Sequence, residues 1–296
     1  MSETTGVRMS ISNSRDLDNI FTNVNAAHQF LISRHVFYVV HACHACHGRV
    51  SIQGKLIRCT TDGCRKAISL YSHTFFAGSK LKINETLELA YYWLCGVSRT
   101  TALAMTGHSP NTVTDFYGHF RQLVASSLED TDTQIGGPGI IVEIDESKFG
   151  RRKYNRGHRI EGAWVFGGIE RTTEQKFFVK VVDNRNAETL LEAIEEHVLP
   201  GSIIHSDCWK AYSRLSSELD VEHRIVNHSK GFVNKTDGTH TNTIEAKWGA
   251  LKRKISIRGR VKDRLDSHLM EQIWRAKHAS SLWFAFIDAL RIVHYE

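Results

Sequence analysis

Residues 140–149 read IIVEIDESKF. The apolar, β-branched run Ile140-Ile141-Val142, continued by Ile144, has the character of a buried strand, and it delivers Asp145 to the rim of a sheet. A second run, Ile203-Ile204 in GSIIHSDCWKAY (201–212), does the same for Asp207. The third acid, Glu245 in HTNTIEAKWGALKRK (240–254), sits in a helical pattern instead. Asn242, Glu245, Gly249 and Lys252 share one polar face, and Ile244, Trp248, Leu251 and Ile255 form the adjoining apolar stripe. Packing that stripe against the sheet aims Glu245 at the two aspartates. An aspartate at a strand end, taken alone, reads as a turn former or a helix cap. Three acids in the order strand, strand, helix read as a divalent-metal site. Carboxylate oxygens suit Mg²⁺ or Mn²⁺, and two such ions about 3.5–4 Å apart clamp the attacking and leaving oxygens of a phosphodiester displacement.

Working outward, the pattern predicts strands over 140–147, 163–170 and 176–183, a helix over 187–198, a strand over 202–206, a helix over 209–219, a strand over 222–227 and, after a loop, a helix over 241–255. Three successive strands followed by alternating helices and strands is the order of an RNase H-like α/β fold. In that fold, acids on the first and fourth strands and on a late helix converge. Glu146 alternates to the opposite face from Asp145 and is not expected to be a ligand. His205 shares a face with Asp207 and is placed to support it, while Trp209 and Tyr212 read as core or supporting residues.

The chain of 296 residues has room for one large domain or two to three small ones. Its net charge of +6 and isoelectric point near 9.0 favour an acidic partner, nucleic acid first. No run of 18 apolar residues occurs and the first residues, MSETTGVRMSISNSRD, lack an apolar signal core, so a soluble intracellular protein is expected.

Upstream of the acids, residues 1–36 read as a partly ordered arm with a weak helical pattern around Leu17 to Leu31. Residues 37–78 follow, where Cys43, Cys46, Cys59 and Cys64 form two knuckles flanked by short strand-like runs. That is a zinc-ribbon pattern, in which four thiolates close a tetrahedral shell and the metal contributes folding energy rather than catalysis. His41, His44 and His47 crowd the first knuckle and compete for a place in the ligand set. Cys95 and Cys208 stand alone and read as small buried side chains. Residues 79–135 read as helical. LKINETLELAYYWLCG (81–96) predicts a core helix through Leu87, Ala90, Tyr91 and Leu94. Residues 98–124 then offer Ser98 or Thr100 as a cap, Gly107 as a turn residue and Ser109-Pro110 as a second start. The pattern fits a helix-turn-helix or an ordinary helical hairpin, and a basic chain with a nuclease-like pattern downstream favours the DNA-reading version. Gly136-Gly137-Pro138-Gly139 marks a domain boundary, with the catalytic domain over 140–278 and a C-terminal helical segment over 279–296.

The stretches IDESKFGRRKYNRGHRIEGAWVFGGIER (144–171), IHSDCWKAY (204–212) and HTNTIEAKWGALKRK, with the cysteine ribbon and SHTFFAGSKLKI (72–83) upstream, resemble transposases of the Merlin superfamily and related bacterial insertion-sequence transposases with an ISXO2-like domain. The resemblance covers about residues 37 to 278. It implies a DDE transposase that binds the terminal inverted repeats of its element and cuts and joins double-stranded DNA with Mg²⁺ or Mn²⁺. A structural Zn²⁺ in the ribbon, a homodimer or higher oligomer on DNA, and residence in the nucleus, or with the nucleoid in a bacterium, go with it. The family aspartates map to Asp145 and Asp207. The third position is Glu245 in the eukaryotic pattern and Asn242 in many bacterial relatives. Glu245 carries the charge, and Lys252 follows it at the spacing seen after a DDE glutamate, so Glu245 is favoured.

Two basic segments then read as phosphate grips: Arg151, Arg152, Lys153, Arg156 and Arg159, with Tyr154 available to stack, and Lys252, Arg253, Lys254, Arg258 and Arg260. Two rivals share these features. One is a domesticated transposase that binds DNA without cutting, which has no need of intact acids. The other is a nuclease of the same fold without strand transfer, against which only the N-terminal modules weigh.

Overall fold

The computed structural model describes residues 11–150, 162–229 and 231–295. The chain divides into two units, one formed by Met1–Ser127 together with His278–Glu296 and the other by Leu128–Lys277.

The first unit opens with α1 (Ser14–Thr22) and α2 (Val24–Ser33). Asn13 and Asn23 start them, each side chain accepting from amides of the first turn. Leu17, Phe21, Ala27 and Leu31 are buried. Within the segment read as a partly ordered arm, residues 14–33 are therefore a pair of packed helices. Three short antiparallel strands follow, β1 (Val50–Gln53), β2 (Leu56–Cys59) and β3 (Ala67–Ser69), in that order across one small sheet. α3 (Ile83–Leu94) buries the stripe expected of it, Leu87, Ala90, Tyr91 and Leu94, and its Asn84 side chain donates to the Phe21 carbonyl at 2.7 Å. α4 (Arg99–Thr106) is capped by Ser98 and stopped by Gly107, whose φ of 69° is the left-handed turn that glycine tolerates. α5 (Pro110–Ser126) restarts on the Ser109 cap with proline in its first turn.

In the second unit, β4 (Ile135–Gly136) pairs with a later strand, so the glycine-rich stretch lies inside this unit rather than between the two. The main sheet is built from β5 (Ile141–Lys148), β6 (Trp164–Glu170) and β7 (Phe177–Val182), then α6 (Ala187–His197), β8 (Val198–Leu199) and β9 (Ser202–Asp207). Where a helix over 209–219 is expected, the chain forms a 3₁₀ turn at Lys210–Tyr212 and the single-turn α7 (Leu215–Glu218). β10 (Val221–Val226), α8 (Asn242–Lys254) and α9 (Lys262–Lys277) complete the unit. Strand order is β10-β9-β5-β6-β7, with β5, β6 and β7 antiparallel and β9 and β10 parallel to β5.

Alternation along β5 and β6 splits the side chains between two cores. Val142, Ile144, Phe166 and Phe178 pack under α6 and against Tyr212 and Leu215. On the other face, Val165, Ile169, Phe177 and Val179 meet Ile244, Trp248, Leu251 and Ile255 of the α8 stripe and Leu265, Leu269 and Ile273 of α9. The sheet is thus sandwiched between helices, with α8 lying on the face to which Asp145 points. The chain then returns to the first unit through α10 (Leu282–Ile292), so residues 279–296 are not a separate appendage.

Candidate active site

Asp145 projects toward α8, where the Trp248 indole donates to its Oδ2 at 3.0 Å. That approach depends on Gly167, which faces Asp145 across the β5–β6 ladder. A Cβ there would stand 2.7 Å from Trp248 Cη2 and 2.7 Å from the Phe178 carbonyl oxygen. Asp207 ends β9, and the Trp209 amide donates to its Oδ1 at 3.0 Å. Glu245 lies in the first turn of α8, where the Thr241 hydroxyl donates to its Oε1 at 3.3 Å and His228 Nε2 stands 3.9 Å away. Burial pushes the Asp145 carboxyl up to about 6, and the nearby charges of Asp207 and Glu245 add to the rise. The charges of Asp207 and Glu245 thus act on Asp145, and each of the three acids accepts a hydrogen bond from a protein donor. Asn242, the first residue of α8, is exposed one turn before Glu245.

Glu146 faces away from Asp145, as alternation requires. There it accepts a hydrogen bond from the Tyr212 hydroxyl and lies 4.0 Å from Arg185. It nevertheless shares an open cleft of about 510 Å³ with Asp207, Arg185, Trp209, Asn227 and His228. Burial pushes Glu146 up to about 8, with Asp145 and Asp207 contributing and Arg185 opposing. The Arg185 guanidinium lies over two aromatic rings, 3.6 Å from the Trp164 centroid and 4.6 Å from that of Trp209. His205 is buried on the Asp207 face, and burial followed by the charge of Arg171 holds its pKa down to about 4, so its imidazole is neutral; its side chain makes no hydrogen bond to Asp207.

The basic segment after α8 divides into two roles. Lys252 turns inward, its Nζ donating to Ser147 Oγ at 2.6 Å and lying 5.2 Å from the Phe149 ring centroid. Arg260 donates to the carbonyls of Ile255 and Lys252 and so closes the end of the helix. Arg253, Lys254 and Arg258 are exposed. Arg151, Arg152, Lys153, Tyr154, Arg156 and Arg159 lie outside the described residues.

One residue that the sequence reading passed over is central to this geometry. Glu143, on the Asp145 face of β5, is fully buried and accepts from the Thr243 amide at 2.7 Å, the Ile244 amide at 3.1 Å and the Thr243 hydroxyl at 2.8 Å. The only local signal was its place two residues before Asp145 in a strand that is otherwise apolar at that depth.

In the first unit, the sulfurs of Cys43, Cys46, Cys59 and Cys64 lie within 4.8 Å of one another, and the Cys46–Cys59 and Cys43–Cys64 pairs are 3.5 and 3.8 Å apart. Zn–S bonds of about 2.3 Å in a tetrahedron place sulfurs about 3.8 Å apart, so the group has the size of a zinc shell. The Thr61 amide donates to Cys59 Sγ at 3.4 Å and the Ala45 amide to Cys43 Sγ at 3.5 Å. Hydrogen bonds from Thr61 draw the Cys59 thiol down to about 6, while Cys64, against a backbone hydrogen bond from Lys66, is pushed up to about 11 by the neighbouring thiols and burial. Cys95 and Cys208 are exposed, against the burial expected for them. Among the described residues, no helix is long and apolar enough to cross a membrane.

The ISXO2-like transposase domain matches residues 134–277, the whole of the sheet with its flanking helices. An uncharacterised transposase-like protein of Haemophilus influenzae is 32% identical over 101 residues, which span 34% of this chain and 80% of that protein. The domain match runs through the segment that carries the acids, and the chain belongs to the insertion-sequence transposase family that is defined by the ISXO2-like domain.

Proposed function

We propose that the protein is a DDE transposase that binds the terminal repeats of its element and carries out cleavage and strand transfer on double-stranded DNA. The reading is supported by the hydrogen bond that each of Asp145, Asp207 and Glu245 accepts from a protein donor, and by the charges of Asp207 and Glu245, which add to the rise that burial gives the Asp145 pKa. The strand order, three antiparallel strands joined to two parallel ones, supports an RNase H-like assignment for the second unit.

The donor set is three carboxylates, hard oxygen ligands of the kind Mg²⁺ and Mn²⁺ prefer. When bound there, either ion supplies positive charge to the attacking and departing oxygens of an in-line displacement. Trp248, Trp209 and Thr241 hold the three carboxylates in place before DNA arrives, so little reorganisation is left for the reaction itself. In the first step water attacks phosphorus at the element end, the P–O3′ bond breaks, and the 3′ oxygen leaves as a hydroxyl. In the second, that hydroxyl attacks a target phosphate and the target's own P–O3′ bond breaks. No side chain forms a bond to DNA in either step.

Arg253, Lys254 and Arg258, exposed at and just after the end of α8, meet the phosphates of the DNA. The four-cysteine group holds a structural zinc, and the α4–α5 pair reads the terminal repeat in the major groove. The protein acts as a homodimer or higher oligomer on DNA, in the nucleus of a eukaryote or with the nucleoid of a bacterium. Purified protein incubated with Mn²⁺ and terminal-repeat DNA tests the proposal: nicking followed by strand transfer is expected. Binding without either product would turn the assignment to a non-cutting DNA-binding protein, and nicking without transfer would turn it to a nuclease.

A further inference from the structure

α8 starts without a cap of its own. Thr241 occupies the capping position but makes no bond to the helix amides, its hydroxyl being turned to Glu245. The first amides of a helix must find acceptors somewhere, and here they find Glu143. The amides it serves, those of Thr243 and Ile244, are the second and third of the helix. A local capping side chain ordinarily serves this pair. The acceptor comes instead from a strand residue 100 positions earlier in the chain. Its charge is matched by Arg171, whose Nε is 3.6 Å away, and by the positive end of the helix itself, and His240 Nδ1 stands 3.2 Å from it.

A cap drawn from the helix's own sequence would stabilise α8 without burying a carboxylate. Taking the cap from β5 does something a local residue cannot do, because it ties the first turn of α8 to the strand that carries Asp145. Glu143 and Asp145 are one strand repeat apart on one face, about 7 Å, and Glu245 directly follows Ile244, whose amide Glu143 holds. Trp248 makes the second tie one turn later, through its bond to Asp145.

We propose that Glu143 is a positioning residue that sets Glu245 against Asp145, so that the site is assembled before any ion binds. The proposal rests on the reading of Asp145, Asp207 and Glu245 as the divalent-ion site. Its test measures Mn²⁺ binding to the full-length, DNA-free protein by electron paramagnetic resonance, alongside the melting temperature, zinc content and DNA affinity without added divalent ion. Glu143→Gln, which keeps the shape but sets an amide donor against helix donors, is expected to weaken Mn²⁺ binding about 10- to 100-fold. Thr243→Ala, which removes one of the three bonds and leaves both amide bonds, is expected to weaken it several-fold. Zinc content and metal-free DNA affinity are expected to stay as in the parent. A lowered melting temperature with unchanged Mn²⁺ affinity in both variants would reduce Glu143 to an ordinary buried cap and overturn the proposal. Should Glu143→Gln fail to fold, Thr243→Ala decides alone by the same criterion. Asp145→Asn separates the two levels. If it leaves Mn²⁺ binding intact, the site reading fails and the positioning role with it, whereas if it alone abolishes binding, only the positioning role falls.

Discussion

The site asks different things of residues that the chain places side by side. Asp145 and Glu146 are neighbours, yet one faces α8 and the other faces Tyr212 and Arg185, so replacing them is expected to have different consequences. Asp145→Asn and Asp207→Asn each remove a charge but little volume, and Mn²⁺-dependent cleavage is expected to fall by at least about 100-fold while the fold and DNA binding persist. A gel assay on terminal-repeat DNA checks this. In the same assay Glu245→Gln is expected to match them and Asn242→Ala to stay within several-fold, and the reverse order would assign the third position to the asparagine. Glu146 makes its own prediction. Its pKa is raised from 4.5 to about 8, so in this interval the folded state binds a proton more tightly than the unfolded chain. The associated stability is complete below the lower value and is lost as pH rises toward the upper one. Without added divalent ion, the melting temperature is therefore expected to decline over that range, and Glu146→Gln is expected to flatten the decline.

At the scale of elements, the packing of α8 on the sheet depends on Gly167. Gly167→Ala puts a methyl where the Trp248 ring and the Phe178 carbonyl already stand, and overpacking of this kind costs about 1–3 kcal/mol. A lower melting temperature and impaired cleavage are expected together, the latter because Trp248 can no longer reach Asp145. On the proposed zinc assignment, the ribbon takes its stability from its metal. About one zinc per chain is expected, with Cys43→Ser or Cys59→Ser losing it and lowering the melting temperature, as metal analysis and thermal denaturation would show. These elements were largely legible in the sequence because each carries a local signature: β-branched runs for β5 and β9, the apolar stripe of α8, serine caps and a glycine stop for α4 and α5, and cysteine spacing for the ribbon. The misreadings also have physical reasons. Tyr212 and Leu215 are three residues apart, a spacing that a 3₁₀ turn presents as well as an α-helix does, so residues 209–219 read as one helix. The cap from Glu143 left no local trace because its partners lie 100 residues away. The first two helices looked only partly ordered because part of their apolar cover, Trp283, comes from the other end of the chain, with Phe21 5.9 Å and Phe30 6.3 Å from it between ring centroids.

For the molecule as a whole, the excess of six positive charges predicts an affinity for DNA that falls with salt. Replacing Arg253 and Arg258 together is expected to weaken binding about equally for specific and unrelated duplexes, and to flatten the salt dependence by about 0.9 for each phosphate that is no longer neutralised. Asn111→Ala or Thr114→Ala, at exposed positions of α5, is expected instead to reduce the preference for the terminal repeat. One titration series against salt and sequence distinguishes the two classes. An unchanged preference in the α5 variants would shift sequence reading away from the helical pair, toward the ribbon. The return of α10 to the first unit has a consequence for how the protein is made. The second unit is continuous in the chain, whereas the helical unit cannot close its core until Trp283 and Phe286 have been translated. The second unit is thus fully translated before the first, and a ribosome that stalls after residue 277 leaves a chain that has every residue of the second unit but lacks Trp283 and Phe286 of the helical core.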